Sequence, residues 1–392
     1  MRAIIIGGSN SLKGGGWTSQ LIERAPEIDF SNQSIGAAPS IMGYYRLLTG
    51  PAFGAGDIVI WEYALNDESQ ITKGKYEEAA ALKHLELIIR HVAAKGAYFL
   101  PVIFAAKANS SRSHKSSYAV GIDRLFAAYD LKPVRATELY CAAHRVSQVP
   151  DREYLNQLHY APSGAVIPLV LDEVLVQLAN PLKPKADIAP LQTVDQPDCR
   201  FVADFSGGKQ YLFQNSILST AIYLPLPDSP LTIRIPKGSW TVVGAIVMRS
   251  TVPSVLAFEF DGVSSRISLG HKNRSYKKSL LGYRQFTSGA EIMVQDGSVV
   301  RVMKLGSGPS VANAGASVLA RDAALARDAA LANNAALANN AAAGHGLISL
   351  ILEPRTATGS KHGCAENGGA ENGGAENGGA ENGGAVAGGA AG

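Results

Sequence analysis

The sequence has few cysteines and little net charge, and both facts exclude classes of protein. Its three cysteines, Cys141, Cys199 and Cys364, are far apart and odd in number, so they predict neither a disulfide framework nor a zinc site. A reduced compartment is the simpler interpretation. The formal net charge of +3 over 392 residues is small, and it gives no reason to expect a nucleic-acid or anionic-membrane partner.

Long apolar runs are also missing. No segment approaches the roughly 18 uninterrupted apolar residues of a membrane-spanning helix. The apolar run near the N-terminus ends at Gly7 with no small-residue cleavage site after it, so a signal peptide is not predicted. We therefore expect a cytoplasmic protein, although export by a leaderless route would leave no mark in the sequence.

Two nucleotide-binding patterns fail in the glycine-rich N-terminal segment. Lys13 precedes the three glycines that begin at Gly14, whereas a phosphate-binding loop needs lysine after its glycines. Gly7 and Gly8 are adjacent, which breaks the dinucleotide-binding pattern. We predict no cofactor and no metal.

The pattern of residues 1–180 is typical of an α/β domain. The predicted strands are 3–6, 57–61 and 98–104, and the predicted helices are 42–48, 75–94, 116–129 and 165–178. Such alternation indicates a parallel sheet that helices cover on both faces. Residues 181–200 carry four prolines in a polar stretch and are predicted to be a linker.

Residues 201–356 are predicted to form a second, all-β sandwich or jelly-roll domain. Its β-rich runs are 231–235, 241–248, 256–260, 299–305 and 347–352, with turn-forming residues at short intervals between them. An alanine-rich insertion at 307–345 contains a six-residue repeat whose leucines cannot form one helical stripe. The tail at 357–392 repeats Ala-Glu-Asn-Gly-Gly and is predicted to be disordered.

Four short segments contain residue types that serve nucleophilic catalysis. Ser9 follows an apolar run and two glycines, at the strand end where open α/β sheets bind ligands. Gly36 and Asn66 each follow an extended run, and each can offer an N–H group to an oxyanion. His159 precedes an apolar helix and belongs to the residue type that takes and returns protons near neutral pH. Each residue alone is more typical of a turn, a helix cap or a structural histidine than of catalysis.

In this order along the chain, the four segments resemble the blocks of the SGNH/GDSL hydrolase family over about residues 3–178. Gly7-Gly8-Ser9 stands where the family has Gly-Asp-Ser, and Gly36 matches the glycine of its second block. The third and fourth blocks, Gly-x-Asn-Asp and Asp-x-x-His, match Ala64-Leu65-Asn66-Asp67 and Asn156-Gln157-Leu158-His159. The resemblance implies a three-layer α/β/α, flavodoxin-like domain with a Ser-His esterase site. Its oxyanion hole would use the Ser9 N–H, the Gly36 N–H and the Asn66 side chain.

Three residues depart from the family pattern. Gly8 replaces an aspartate beside the nucleophile, and Ala64 replaces a glycine near the oxyanion hole. Asn156 replaces the aspartate of the triad, which is the most consequential change. In a serine protease, converting that aspartate to its amide lowers turnover by about 10⁴.

The asparagine leaves three alternatives open. Ser9 and His159 work as a dyad, with Asn156 or a backbone carbonyl holding the ring. Alternatively, Asp151 or Glu153, a few residues upstream, supplies the carboxylate. In the third alternative, the domain has little hydrolytic activity and mainly binds an acylated ligand.

The leading hypothesis is therefore a serine esterase that hydrolyses a small acyl ester, acetyl foremost, on a carbohydrate. That substrate class follows from the family resemblance and from a β domain suited to binding glycan. A catalytically weak glycan-binding module and a carbohydrate O-acyltransferase are the alternatives. The sequence does not indicate the oligomeric state.

Overall fold

The structure is a computed structural model of the chain. It describes residues 1–111, 113, 115–191, 199–214, 219–226, 228–249, 254–260, 263–269, 280–286, 293–294, 298–305 and 346–354. The predicted insertion at 307–345 and the predicted tail at 357–392 lie outside the described residues. Within the described ranges, no helix is both long enough and apolar enough to cross a membrane.

One parallel sheet forms the centre of the N-terminal part. Its strands are β1 (Arg2–Gly7), β2 (Asp29–Asn32), β3 (Ile58–Glu62), β4 (Tyr98–Ile103) and β5 (Val134–Arg135), in the order β2-β1-β3-β4-β5. All neighbouring pairs are parallel. The inner strands β1 and β3 are buried almost along their whole length, which explains why both are continuous apolar runs.

Helices cover both faces of this sheet. They are α1 (Trp17–Arg24), α2 (Ser40–Thr49), α3 (Ala64–Thr72), α4 (Glu78–Ala94), α5 (Ser117–Ala128), α6 (Ala136–His144) and α7 (Val166–Ala179). Side chains alternate along β1, so that Ile4 and Ile6 pack with α2, α4 and α5, whereas Ala3 and Ile5 pack with α1, α6 and α7. The predicted three-layer α/β/α arrangement is confirmed.

The predicted strands and helices of this part are all present, with ends that differ by at most three residues. The structure adds β2, β5, α1, α3 and α6, which the sequence pattern did not reveal. Strand β2 is polar and only partly buried, and β5 has two residues, so neither leaves an apolar run to detect.

The C-terminal part consists of antiparallel strands. They are β6 (Arg200–Val202), β7 (Phe205–Ser206), β8 (Lys209–Gln214), β9 (Ser219–Leu224), β10 (Leu231–Arg234), β11 (Trp240–Arg249), β12 (Val255–Phe260), β13 (Val263–Ser268), β14 (Leu280–Gln285), β15 (Met293–Val294), β16 (Val299–Leu305) and β17 (Gly346–Pro354). One sheet has the order β13-β12-β16-β10-β7. The other has the order β14-β11-β17-β9-β8, with β15 on β11 and β6 on β17.

The two antiparallel sheets pack face to face. Leu256 and Phe258 of β12 share a buried cluster with Val247 of β11 and Leu350 of β17. This packing makes the predicted β-sandwich, and each of its five predicted strands overlaps an observed strand.

The sandwich also packs against the N-terminal part. Tyr44 and Tyr45 of α2 contact Phe201 with ring centroids 5.9 and 5.3 Å apart, and Tyr76 contacts Tyr283 at 5.8 Å. Ile246 of β11 belongs to the same buried cluster as α2 and α4. The described residues consequently belong to one compact unit, and the division into domains at residues 180 and 201 remains a prediction.

Candidate active site

The carboxyl ends of neighbouring strands bring the predicted site residues to one edge of the parallel sheet. Ser9 comes two residues after the end of β1, and Gly36 lies four residues beyond β2. Asn66 lies in the first turn of α3, directly after β3. His159 comes from the loop that precedes α7. Parallel strands place their carboxyl ends together, so residues far apart in sequence meet here.

Ser9 and His159 are in direct contact. The His159 Nε2 atom lies 2.7 Å from Ser9 Oγ, which is hydrogen-bond distance. Both side chains are only partly buried, so the hydroxyl is open to a ligand from solvent. A second contact joins the two loops, because the Asn10 side-chain amide donates to the carbonyl of Leu158 at 3.2 Å.

Asn156 takes the position that an acid would hold behind the histidine. Its Oδ1 lies 3.0 Å from His159 Nδ1 and also accepts the backbone N–H groups of Leu158 and His159, at 3.0 and 3.1 Å. Because those two partners are donors, the oxygen of the amide faces the ring, and Nδ1 must carry the ring hydrogen. His159 Nε2 is therefore left as the acceptor toward Ser9, which is the tautomer that a general base needs.

Neither of the two upstream acids contacts the ring in the structure. Asp151 is exposed and pairs with Lys107 at 2.7 Å. Glu153 is buried, and its Oε2 accepts the N–H of Ala165 at 2.6 Å, next to the start of α7. The structure thus brings Asn156 to His159, whereas it commits Asp151 and Glu153 to other partners.

The histidine is biased toward its neutral form. Burial, and next the positive charge of Lys13, lower the pKa of His159 below its ordinary value. Both effects disfavour the imidazolium, and Asn156 supplies no negative charge to oppose them. A neutral imidazole is the form that removes a proton from a serine hydroxyl, so the bias favours a base at neutral pH.

In the part of the chain that the structure describes, three N–H donors from the predicted oxyanion hole have hydrogens that are not used by the backbone. Among the described residues, no backbone acceptor is paired with the N–H of Ser9 or of Gly36. A Cβ atom added to Gly36 would lie 3.7 Å from the Cβ of Ser9, so the two backbones are in close contact. The Asn66 Nδ2 atom donates one hydrogen to the Ala38 carbonyl at 3.0 Å and keeps a second one available.

Gly8 makes room for Asn66. A Cβ atom at residue 8 would overlap the side-chain oxygen of Asn66. The structure thus gives a steric reason for this departure from the family pattern. Any larger residue at position 8 would have to displace Asn66 from its present position.

Asp67 fixes the edge that carries Asn66. Its carboxylate accepts the Ser40 N–H at 2.7 Å and the Tyr118 hydroxyl at 2.7 Å, and it also accepts the Ser40 hydroxyl. Ser40 begins α2, two residues after the Ala38 carbonyl that holds Asn66. Asp67 is therefore one of the residues that position the asparagine, although it does not face the hydroxyl of Ser9.

Sequence reasoning missed several residues that hold the loop carrying Ser9. We call this loop, residues 8–11, the nucleophile loop. Asn32 donates to the carbonyl of Ser11 at 2.7 Å, and the Glu62 carboxylate accepts the Ser11 hydroxyl at 2.6 Å. Glu62 ends an apolar strand, and nothing in the spacing of residues marks it as part of a site. Its position at the end of β3, just before a recognised block, was the one signal that could have drawn attention to it.

The arrangement has the parts that acyl transfer requires. A serine hydroxyl faces an imidazole that is biased toward its neutral form, and the N–H groups of Ser9 and Gly36, which have no backbone acceptor among the described residues, lie on adjacent loops. Within the part of the chain that the structure describes, no group of three or more His, Cys, Asp or Glu side chains is arranged to hold a metal ion.

Comparisons with known proteins agree with this fold. No protein-family model and no curated protein matches the sequence. A solved structure described as a two-domain esterase (CEX) active on acetylated mannans is similar at a TM-score of 0.57 and 16% identity, over 91% of this chain and 92% of that chain. A second structure, described as a two-domain esterase of that name co-crystallized with mannopentaose, is similar at a TM-score of 0.59 and 15% identity, over 91% of each chain. In fold, therefore, the chain is similar to these two-domain esterases over 91% of its length, which agrees with the predicted SGNH-like α/β domain followed by a β domain.

Proposed function

We propose that the protein is a serine esterase that removes a small acyl group, with acetyl as the first candidate, from a carbohydrate. The observation that carries the proposal is the 2.7 Å contact between Ser9 Oγ and His159 Nε2. A serine hydroxyl is a weak nucleophile until a base takes its proton, and this contact supplies that base.

In the proposed first step, Ser9 Oγ attacks the ester carbonyl carbon while its proton passes to His159 Nε2. The carbonyl oxygen becomes an oxyanion, and the N–H groups of Ser9, Gly36 and Asn66 stabilise it. When the tetrahedral intermediate collapses, the imidazolium returns its proton to the departing sugar oxygen. Water then attacks the acyl-serine through the same base, which releases the acid and restores Ser9.

The carbohydrate substrate is the finer part of the proposal. The two solved structures that share the fold over 91% of this chain are described as esterases active on acetylated mannans. At 15–16% identity this supports a substrate class rather than a particular polymer. Acetylated oligosaccharides of mannose are therefore the first substrates to test.

Asn156 favours a second candidate, a hydrolase-like module that binds acylated glycan and turns it over slowly. The amide orients the ring, yet it carries no charge to stabilise the imidazolium. The two candidates differ in the reactivity of Ser9 rather than in ligand binding.

The deciding experiment measures both turnover and covalent labelling. The parent protein should release acetate from acetylated mannan and from p-nitrophenyl acetate, and a fluorophosphonate probe should modify Ser9. Ser9→Ala should abolish turnover and labelling. If the parent protein binds acetylated oligosaccharide, but neither hydrolyses an ester nor reacts with the probe, the binding module is the better description.

A further inference from the structure

Glu62 is a buried carboxyl group beneath the nucleophile loop. It is the last residue of β3 and is 1% exposed. Its Oε2 atom accepts the Gly8 N–H at 3.1 Å and the Ser11 hydroxyl at 2.6 Å. Gly8 precedes Ser9 by one residue and Ser11 follows it by two, so one carboxylate oxygen holds the loop on both sides of the nucleophile.

The surrounding backbone leaves space for this arrangement. The Gly8 N–H also donates to the backbone carbonyl of Glu62 at 3.1 Å. A Cβ atom at Gly7 would collide with the Ser11 hydroxyl and would lie 3.0 Å from the Glu62 carboxylate. The glycine at position 7 therefore permits the close contact between Ser11 and Glu62, in addition to ending β1.

The second oxygen of the same carboxyl group is buried without a partner. Among the described residues, no hydrogen-bond donor reaches Glu62 Oε1. A buried polar atom without a hydrogen-bond partner destabilises the folded protein. Stability therefore does not explain why a carboxyl group stands at residue 62. We propose that Glu62 is a positioning residue for the esterase reaction, because its carboxylate fixes Gly8 and Ser11 and thereby sets Ser9 Oγ against His159.

This role rests on the proposed function and makes turnover depend on the charge of Glu62. A charged acceptor makes hydrogen bonds roughly twice as strong as a neutral one, so the loop is held best when the group is ionised. Burial raises the pKa of Glu62 to about 7, while the hydrogen bonds from Ser11 and Gly8 oppose that rise. The adjacent titratable group, Tyr63, has a pKa that burial raises above its ordinary value, so it stays neutral in this range.

The test compares the pH dependence of kcat in the parent protein and in Glu62→Gln. Glutamine keeps the size of the side chain and removes the charge. We expect kcat to fall about tenfold, as for loss of a hydrogen bond to a charged group, with KM changed less than twofold. The acid limb of the profile should move to lower pH, because only His159, with its lowered pKa, then remains to titrate.

Ser11→Ala tests the same idea without changing Glu62. It removes a donor that stabilises the charged carboxylate, so the pKa of Glu62 should rise and the acid limb should move to higher pH. The control is Glu86→Gln, which makes the same change at a fully buried glutamate of α4 bound to Tyr129 and Leu191. This control should leave the midpoint of the limb unchanged.

The outcomes separate the two proposals. A parent protein without turnover and without fluorophosphonate labelling would refute the proposed esterase. A reactive parent whose acid limb stays in place in both Glu62→Gln and Ser11→Ala would refute the positioning role alone. If Glu62→Gln does not fold, the shift in Ser11→Ala still decides the question.

Discussion

Asn156 holds the ring of His159 through a single oxygen, which lies 3.0 Å from Nδ1. The same oxygen accepts the backbone N–H groups of Leu158 and His159, so its position does not depend on the imidazole ring. The tautomer and the direction of the ring are thus set without a carboxylate. What the asparagine lacks is the negative charge that would stabilise an imidazolium.

Asn156→Asp should therefore increase turnover. The new carboxylate would accept the same three hydrogens and add the missing charge. We expect kcat to rise at least tenfold, but by less than the roughly 10⁴ lost by the reverse change in a serine protease, because orientation is already provided. The measurement is kcat against pH with p-nitrophenyl acetate.

The pH profile of this variant gives an independent check. A carboxylate beside the ring favours its charged form, so the pKa of His159 should rise and the acid limb should move to higher pH. Asn156→Ala is the control, and it should lower kcat because the ring loses its acceptor. An aspartate variant that is no faster than the parent would show that the missing charge does not limit the rate.

Glu153→Gln should cost stability rather than activity. Its carboxylate accepts the Ala165 N–H at 2.6 Å and has no contact with His159. Replacing a charged acceptor of a buried N–H should lower the free energy of unfolding by about 1–3 kcal/mol, measured by urea denaturation. Turnover should remain within twofold of the parent value. A loss as large as that of Ser9→Ala would instead make Glu153 the acid.

Gly8→Ala should impair the proposed oxyanion hole. The added Cβ overlaps the side-chain oxygen of Asn66, so this donor must move away from its position. Removing one such donor typically lowers kcat by about 10²–10³. The matched control is Gly14→Ala, where an added Cβ meets no atom within 4 Å and kcat should stay at the parent value. Equal kcat values for the two variants would argue against a role for Asn66.

Stability should depend on pH through Asp67. Burial raises the pKa of this carboxyl from its ordinary value of 3.8 to about 7. The folded protein therefore keeps a proton that the unfolded chain has lost between these values. The free energy of unfolding is highest below the ordinary pKa and falls as the pH rises toward 7, by ~1.4 kcal/mol for each unit of difference.

Urea denaturation at several pH values measures this effect. The parent protein should become less stable from about pH 5 to pH 8, and Asp67→Asn should show a smaller decrease over the same range. The free energy of unfolding of this variant should still depend on pH to some extent, because Glu62 is also buried with a raised pKa. An asparagine variant with the full slope of the parent would contradict the assignment to Asp67.

Local patterns in the sequence predicted the elements with a strongly apolar face. Helix α4 is close to its predicted range because the apolar residues recur every three or four positions. Strand β2 was missed because its four residues lie at the sheet edge and are polar or only partly buried. The four site residues were predicted from short blocks in a fixed order, and the structure brings all of them to one edge.

The supporting residues could not be predicted in the same way. Glu62 acts on Ser11 from 51 positions further along the chain, and Asp67 contacts Tyr118 across a similar separation. Such pairs follow from the order of strands in the sheet, which no local pattern encodes. The choice between Asn156 and Glu153 likewise depended on which side chain faces the ring.

The rings of Tyr44, Tyr45 and Phe201 join the helical layer to the sandwich through one apolar surface. A chain truncated near residue 190 would leave both tyrosines facing water, and exposed apolar patches of this kind promote aggregation. The α/β part is therefore expected to need its C-terminal neighbour for solubility. Heating should accordingly melt the two parts in one cooperative transition rather than in two successive steps.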